Sequence, residues 1–316
     1  MTSASDLVTI EDNIPEQDSS DLEETTDQPT LVTLSTSGLL GRRSPNEEFT
    51  AKPGRHDVLA RSLETSGFAT VSALTDHGRA LTVRAREIPE MVRGSRGASV
   101  TEMFSLSRGE KVVGLFGDGS DPIVLVTRQG TVKRLEADAL KRLRSGSSAI
   151  NLKGDDRVVS AFVASEDSEI VMIASDGQAL RTAAAGVSLQ GPGAGGVAGM
   201  QLKPGSKLMA AGSVEFGAAV VVISDEGAIK ATDVAEIPSK GRATGGVRTV
   251  KWRDFETTAA FGWVGRGQQL AAVVADASDS KKATGAPVPL SLELTRRDGM
   301  TSAGEDRILL IGEYRL

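Results

Sequence analysis

The sequence predicts an all-β fold, a propeller-like ring of about six four-stranded blades. Three observations carry this. An aliphatic run, a polar tip, a glycine and a second short run recur five times at similar spacing. A second marker, small residues leading into an aliphatic, moves along the chain in step with the first. Helical periodicity is almost absent, so the repeats must bury their apolar faces as sheets, and closing them into a ring removes exposed strand edges.

The hairpins set the frame. LVTLSTSGLLGRR from Leu31, TVSALTDHGRALTVR from Thr70, IVLVTRQGTVKR from Ile123, IVMIASDGQALR from Ile170 and VVVISDEGAIKA from Val220 align on one glycine each. These are Gly38, Gly78, Gly130, Gly177 and Gly227, spaced 40, 52, 47 and 50 residues apart. Glycine at that point supplies the positive φ of a tight turn. Between the hairpins lie GASVTEMFSLSRGEKVVGLF, GSSAINLKGDDRVVSAFV, GGVAGMQLKPGSKLMAAGSV and GGVRTVKW. Their leading aliphatics, Val100, Ile150, Val197 and Val247, are spaced 50, 47 and 50. Each unit therefore reads hairpin, loop, short strand, turn, strand. LAAVVADASDSKKAT from Leu270 stands where a sixth hairpin is due, without the glycine, and RILLIGEYRL reads as a strand near the C-terminus.

A chain of 316 residues can form one large all-β domain or two smaller ones. No apolar run of about 18 residues offers a membrane span, and the opening lacks an export signal. Cysteine is absent, which excludes disulfides and thiolate zinc sites and agrees with a cytoplasmic location. The net charge of −6 hides an asymmetry. Residues 1–29 hold nine acids and no base, leaving 33 acids against 36 bases in residues 30–316. The acidic opening is expected to be a disordered linker or tail, and residues 30–316 the folded body.

Catalytic signals are scarce. GPGAGG (Gly191–Gly196) matches a dinucleotide fingerprint as a string, but Gly199, Pro204 and Gly205 forbid the helix that the mechanism needs, so it reads as a loop. His56 and His77 lie in separate loop-like segments and read as surface residues. Asp118 and Asp121 in FGDGSD lack the spacing of a calcium loop. No nucleophile elbow, P-loop or paired-histidine zinc motif is present, and no cofactor or metal is expected.

Basic residues, in contrast, recur just after the hairpin glycine: Arg42 and Arg43, Arg84, Lys133 and Arg134, Arg181, and Lys230. A cation repeated at one blade position would band the rim with positive charge, the footprint of a phosphate-backbone binder. The competing reading is that the same residues keep strand edges soluble. SKGRATGGVRTVKW (Ser239–Trp252) adds Lys240, Arg242 and Arg248 as candidate contacts in a glycine-loosened loop crossing between blades. With aromatics at 3% and no basic helix, binding would follow charge and shape rather than base identity. A phosphate backbone is the expected partner. The alternative is a propeller-type protein-interaction scaffold, which would show mixed charge and an exposed apolar surface at the rim.

These units resemble the C-terminal β-pinwheel domain of bacterial type IIA topoisomerase A subunits, those of DNA gyrase and topoisomerase IV. The resemblance covers about residues 30–316 and rests on PSKGRATGGVR (Pro238–Arg248), LQGPGAGGVAGMQL (Leu189–Leu202), SDGQALR (Ser175–Arg181) and the closing LTRRDGM (Leu294–Met300). It is nearer to actinobacterial topoisomerase IV-type subunits than to gyrase. The resemblance implies a six-bladed β-pinwheel, a disc that binds duplex DNA on its perimeter and bends it. It also implies as partners the rest of the A subunit, which holds the cleavage tyrosine, and an ATPase B subunit. By itself such a domain is not an enzyme, and the chain resembles a fragment. Gyrase wrapping depends on a box of paired cations and paired glycines. TAKPGRHDV (Thr50–Val58) keeps Lys52, Gly54 and Arg55 without the paired glycines, QGPGAGG (Gln190–Gly196) keeps glycines without cations, and KGRATGG (Lys240–Gly246) keeps part of each. Bending and substrate selection of the topoisomerase IV kind are therefore expected over full wrapping.

Overall fold

The computed structural model describes residues 27–46, 57–92, 95, 97–266, 269–276, 279–283, 287–304 and 307–313. The first hairpin is β1 (Pro29–Ser35) and β2 (Leu39–Arg43), followed by β3 (Leu59–Ser66). The second, β4 (Thr70–Thr75) and β5 (Ala80–Arg84), is followed by the short β6 (Ala98–Ser99) and by β7 (Val112–Phe116). The third is β8 (Ile123–Thr127) and β9 (Thr131–Leu135), with β10 (Val158–Val163) after it. The fourth, β11 (Glu169–Ala174) and β12 (Gln178–Ala183), precedes β13 (Val197–Ala198) and β14 (Leu208–Ser213). The fifth, β15 (Ala218–Ser224) and β16 (Ile229–Asp233), precedes β17 (Val247–Arg248) and β18 (Ala259–Arg266). The sixth is β19 (Leu270–Asp276) and β20 (Asp279–Ala283), then β21 (Val288–Pro289) and β22 (Ile308–Glu313). The fold is all-β, in antiparallel sheets, as expected. The five hairpin glycines all have φ between +75° and +89°, a region in which a side chain would be strained.

Pairing departs from the expected unit in one respect. Each hairpin's first strand pairs with the long strand that follows it, β1 with β3 and β8 with β10. Its second strand pairs with a short strand that arrives only after the next hairpin: β2 with β6, β9 with β13, β12 with β17. The second and fifth hairpins receive single bridges instead, Arg79 to Ser148 and Ile229 to Ser302. Among the described residues each of the first five hairpins is thus completed by a segment of the following repeat. Val197 and Val247 begin their short strands, Val100 instead opens a short helix (Val100–Phe104) just past β6, and Ile150 lies two residues beyond the Ser148 bridge.

The aliphatic runs explain the stacking. In β8, Ile123 and Leu125 pack with Leu74 and Ala80 of the second hairpin, while Val124 and Val126 pack with Ile170 and Met172 of the fourth. A strand sandwiched on both faces reads as a continuous apolar run rather than an alternation. Comparable layers lie between each consecutive pair of hairpins, and Val58, Ala271 and Val273 form one between the last and the first. β3, β7, β10, β14, β18 and β22 line a common central cavity of about 590 Å³. One pairing, Glu313 to Leu59, joins β22 to β3.

Four hairpin tips, the first, second, third and fifth, are tied down by buried acids from the turn before the inner strand. Asp57 accepts from the Ser37 amide at 2.8 Å, Asp156 from the Gln129 amide at 3.0 Å, and Glu256 from Ser224 Oγ at 3.2 Å. Glu110 receives both Arg79 Nε at 2.8 Å and Arg79 Nη2 at 2.6 Å. Burial alone would raise the Glu110 carboxyl. Hydrogen bonds from Arg79, Thr75 and the Ser107 amide, with the Arg79 charge, outweigh it and bring the pKa down to about 2.

Candidate nucleic-acid interface

The recurring cations turn inward. The second hairpin strand is no edge, because the donated short strand and the loop leading to it cover its outer side. Lys133 is 0%, Arg134 1% and Lys230 2% exposed. The Lys133 ammonium donates to Ala149 O at 2.8 Å, Pro192 O at 2.8 Å and Ala194 O at 2.7 Å, which uses all three of its protons. Burial pushes this amine down to about 8. Burial also lowers Lys230, against the opposing pull of Glu236 and Asp298. Lys133, Arg134 and Lys230 are therefore corrected from surface phosphate contacts to interior cross-links.

Arg42, Arg134 and Arg181, each four residues past its glycine, perform one task. Arg42 Nε donates to Ile88 O at 2.9 Å. Arg134 Nη1 donates to Ala184 O at 2.8 Å and Val187 O at 3.0 Å. Arg181 Nη1 donates to Val234 O at 3.3 Å and Ile237 O at 3.4 Å. The carbonyls belong to, or directly follow, a 3₁₀ turn after the next hairpin: Ala85–Glu87, Ala184–Gly186 or Val234–Glu236. Glu90, Glu166 and Glu169 pair with the three guanidiniums. The recurrence that suggested a charged rim is thus a repeated staple between neighbouring units. Arg43, half-buried beside Arg42, is likewise not a fully exposed cation.

The remaining candidates are exposed. Arg84 ends β5 on the surface. Lys240, Arg242 and Arg248 lie on the loop and short strand that cover β12, and the structure adds Lys251, Arg296 and Arg297 to them. Arg242 Nε donates to Gly186 O at 3.0 Å and its Nη1 to Ala198 O at 3.1 Å, so this loop lies across the one donated by the preceding repeat. Arg297 Nη1 donates to Arg248 O at 2.9 Å, and the Lys251 amide donates to Gly299 O at 2.9 Å. Two segments about 50 residues apart are thereby joined into one basic patch. Among the described residues, none of these six cations has a carboxylate partner within 4.0 Å, whereas Lys141, Arg142, Lys203 and Arg266 all do. The six side chains make a basic patch, with the Glu236 carboxylate on the Arg297 amide at its margin.

In the sequence Arg296 and Arg297 are only a basic pair in LTRRDGM; nothing in their spacing says that Arg297 reaches the Arg248 carbonyl. GPGAGG is a loop, as expected, running into β13. In TAKPGRHDV the segment 50–56, with Lys52, Gly54, Arg55 and His56, lies outside the described residues. His77 sits at a hairpin tip with Nδ1 3.9 Å from Glu110.

A family model described as the DNA gyrase C-terminal domain, beta-propeller, matches residues 70–116, 121–165, 168–215 and 218–255. The DNA gyrase A subunit of Aminobacterium colombiense is 32% identical over 211 residues, which is 62% of this chain and 24% of that protein. The chain thus spans about a quarter of the length of that relative. Among solved structures, the C-terminal domain of DNA topoisomerase IV superposes with a TM-score of 0.78 at 22% identity, covering 92% of this chain and 94% of that one. The DNA gyrase A C-terminal domain superposes with a TM-score of 0.65 at 20% identity, covering 91% and 100%. At these identities the superpositions speak to fold.

Proposed function

The chain belongs to the DNA gyrase C-terminal β-propeller family, and from that membership we propose a six-bladed pinwheel that binds and bends duplex DNA as the non-catalytic accessory domain of a type IIA topoisomerase A subunit. The observation that carries the DNA reading is the patch of Lys240, Arg242, Arg248, Lys251, Arg296 and Arg297, exposed or half-exposed, whose charged side chains make no ion pair among the described residues. Arg84 is a further contact on another sector. Phosphates would be held by charge, with little discrimination among bases. Its partners are the remainder of the topoisomerase, both the breakage-reunion part and the ATPase B subunit. The cytoplasmic nucleoid is its place of work.

Topoisomerase IV-like bending and choice of crossings, serving decatenation and relaxation, is favoured over gyrase-type wrapping. The two described loops that echo the wrapping box, Gln190–Gly196 and Lys240–Gly246, each carry half of its chemistry. Two observations bear on the scaffold alternative: among the described residues the most exposed aromatics, Phe216 at 98% and Phe255 at 62%, stand singly on turns at opposite ends of the strands, whereas Leu294 and Met300 are exposed on the segment that carries Arg296 and Arg297.

The test is fluorescence anisotropy on duplexes of about 100 base pairs over a salt series, followed by ligation of nicked circles in the domain's presence. Binding should weaken steeply with salt and show little sequence preference. Neutralising Arg242, Arg248 and Lys251 should lower the salt slope by roughly 3 on every sequence. No binding at low salt refutes the DNA reading. A large positive linking change on ligation refutes the preference for bending over wrapping.

A further inference from the structure

Lys230 is buried, and its ammonium bridges its own strand, at Ala231 O and Thr232 Oγ1, to the loop that carries two cations of the patch. It donates to Thr295 O at 3.0 Å and Thr295 Oγ1 at 2.5 Å, with Thr232 Oγ1 at 3.0 Å as a further partner. The Thr295 amide donates to Ala231 O at 3.0 Å, so the residue next to Lys230 grips the same threonine through the backbone. Arg296 and Arg297 follow directly. Gly299 closes over the lysine stem, close enough that a Cβ there would meet Lys230 Cε at 3.5 Å. Glu236 Oε2 takes the Arg297 amide at 2.7 Å, and the Arg297 guanidinium reaches Arg248 O.

We propose that Lys230 is a positioning residue for anion binding: without touching phosphate, it holds segment 294–300 where Arg296 and Arg297 complete one surface with Arg248 and Lys251. The inference rests on the phosphate-backbone reading above. Its physical basis is preorganisation. A loop already ordered in the free protein does not have to be ordered when the anion arrives, so the ammonium acts on affinity through its neighbours. An ammonium suits the position because one side chain supplies three donors to acceptors on two segments.

The experiment compares Lys230→Met, the double variant Arg296→Gln/Arg297→Gln, and the three substitutions together. Anisotropy on duplex DNA is measured over a salt series, and amide hydrogen exchange is followed across 294–300. Lys230→Met should speed exchange in that segment, weaken binding several-fold and lower the salt slope by about 1 to 2. Added to the double variant it should cause no further loss, because the cations it positions are already gone. Full additivity of the losses, or unchanged exchange, overturns the proposal. If the parent chain binds no duplex, the DNA reading falls, while the exchange result still judges whether Lys230 holds the loop. Should Lys230→Met fail to fold, Thr295→Val removes the 2.5 Å acceptor and leaves the lysine in place; it must shift exchange and slope in the same direction.

Discussion

Replacing Glu110 by Gln tests the idea that buried acids hold the hairpin tips. The side chain of Glu110 is fully buried and takes two bonds from Arg79 and one from the Ser107 amide at 3.0 Å. Gln keeps the volume and one acceptor oxygen but gives up the charge and the paired geometry. The carboxyl falls from its ordinary 4.5 to about 2 in the folded state. Because the folded pKa is the lower one, its contribution is complete above about pH 4.5 and is lost as the pH falls toward 2. A shift of that size corresponds to on the order of 3 kcal/mol, of which roughly 1.4 kcal/mol should be gone by pH 3.5. Urea denaturation of parent and variant at pH 7 and pH 3.5 isolates this contribution, since the other latching acids cancel in the difference. The parent should exceed the variant by about 3 kcal/mol at pH 7 and by about half that at pH 3.5. A difference that stays constant between the two pH values refutes the assignment.

Arg134→Met leaves the Ala184 and Val187 carbonyls without their donor and should cost about 2–4 kcal/mol by chemical denaturation. The salt slope of DNA binding should not change, since this guanidinium is inside the fold. At Gly246, with φ of +73° and the Ala179 carbonyl where a Cβ would stand, alanine should cost more than about 1 kcal/mol. Gly241→Ala on the same loop, with nothing within 4 Å, should be close to neutral in the same melting assay.

Hairpins are legible in the sequence because two local signals coincide, a turn glycine and an uninterrupted aliphatic run; IVLV and VVVI suit strands buried on both faces. Strand partners are not legible. A two-residue strand such as Val247–Arg248 carries no periodicity, and its partner β12 lies some seventy residues back in a register that only the ring imposes. The inward cations escape for a related reason. Lys133 and Arg134 sit between Val132 and Leu135 in TVKRL, and Lys230 between Ile229 and Ala231, so a charge set inside an apolar run is the available sign that it points into the protein. Lys240, Arg242 and Arg248 stand exposed, as their polar glycine-rich context predicts. What sequence does not supply is the Arg297 to Arg248 contact that makes two loops one surface.

The donated strands have a consequence for how the disc carries load. β6, β13 and β17 overlap like roof tiles, each fastened to the sheet one repeat behind the hairpin it follows. Tension applied to one of these outer loops would therefore be shared by two sheets. The same overlap means that a repeat cannot be cut out cleanly: deleting one removes its own hairpin and also unroofs its predecessor. The last repeat meets the first where Glu313 of β22 pairs with Leu59 of β3, Ser62 Oγ donates to the Glu313 carboxylate at 3.1 Å, and Val58 packs on Ala271 and Val273.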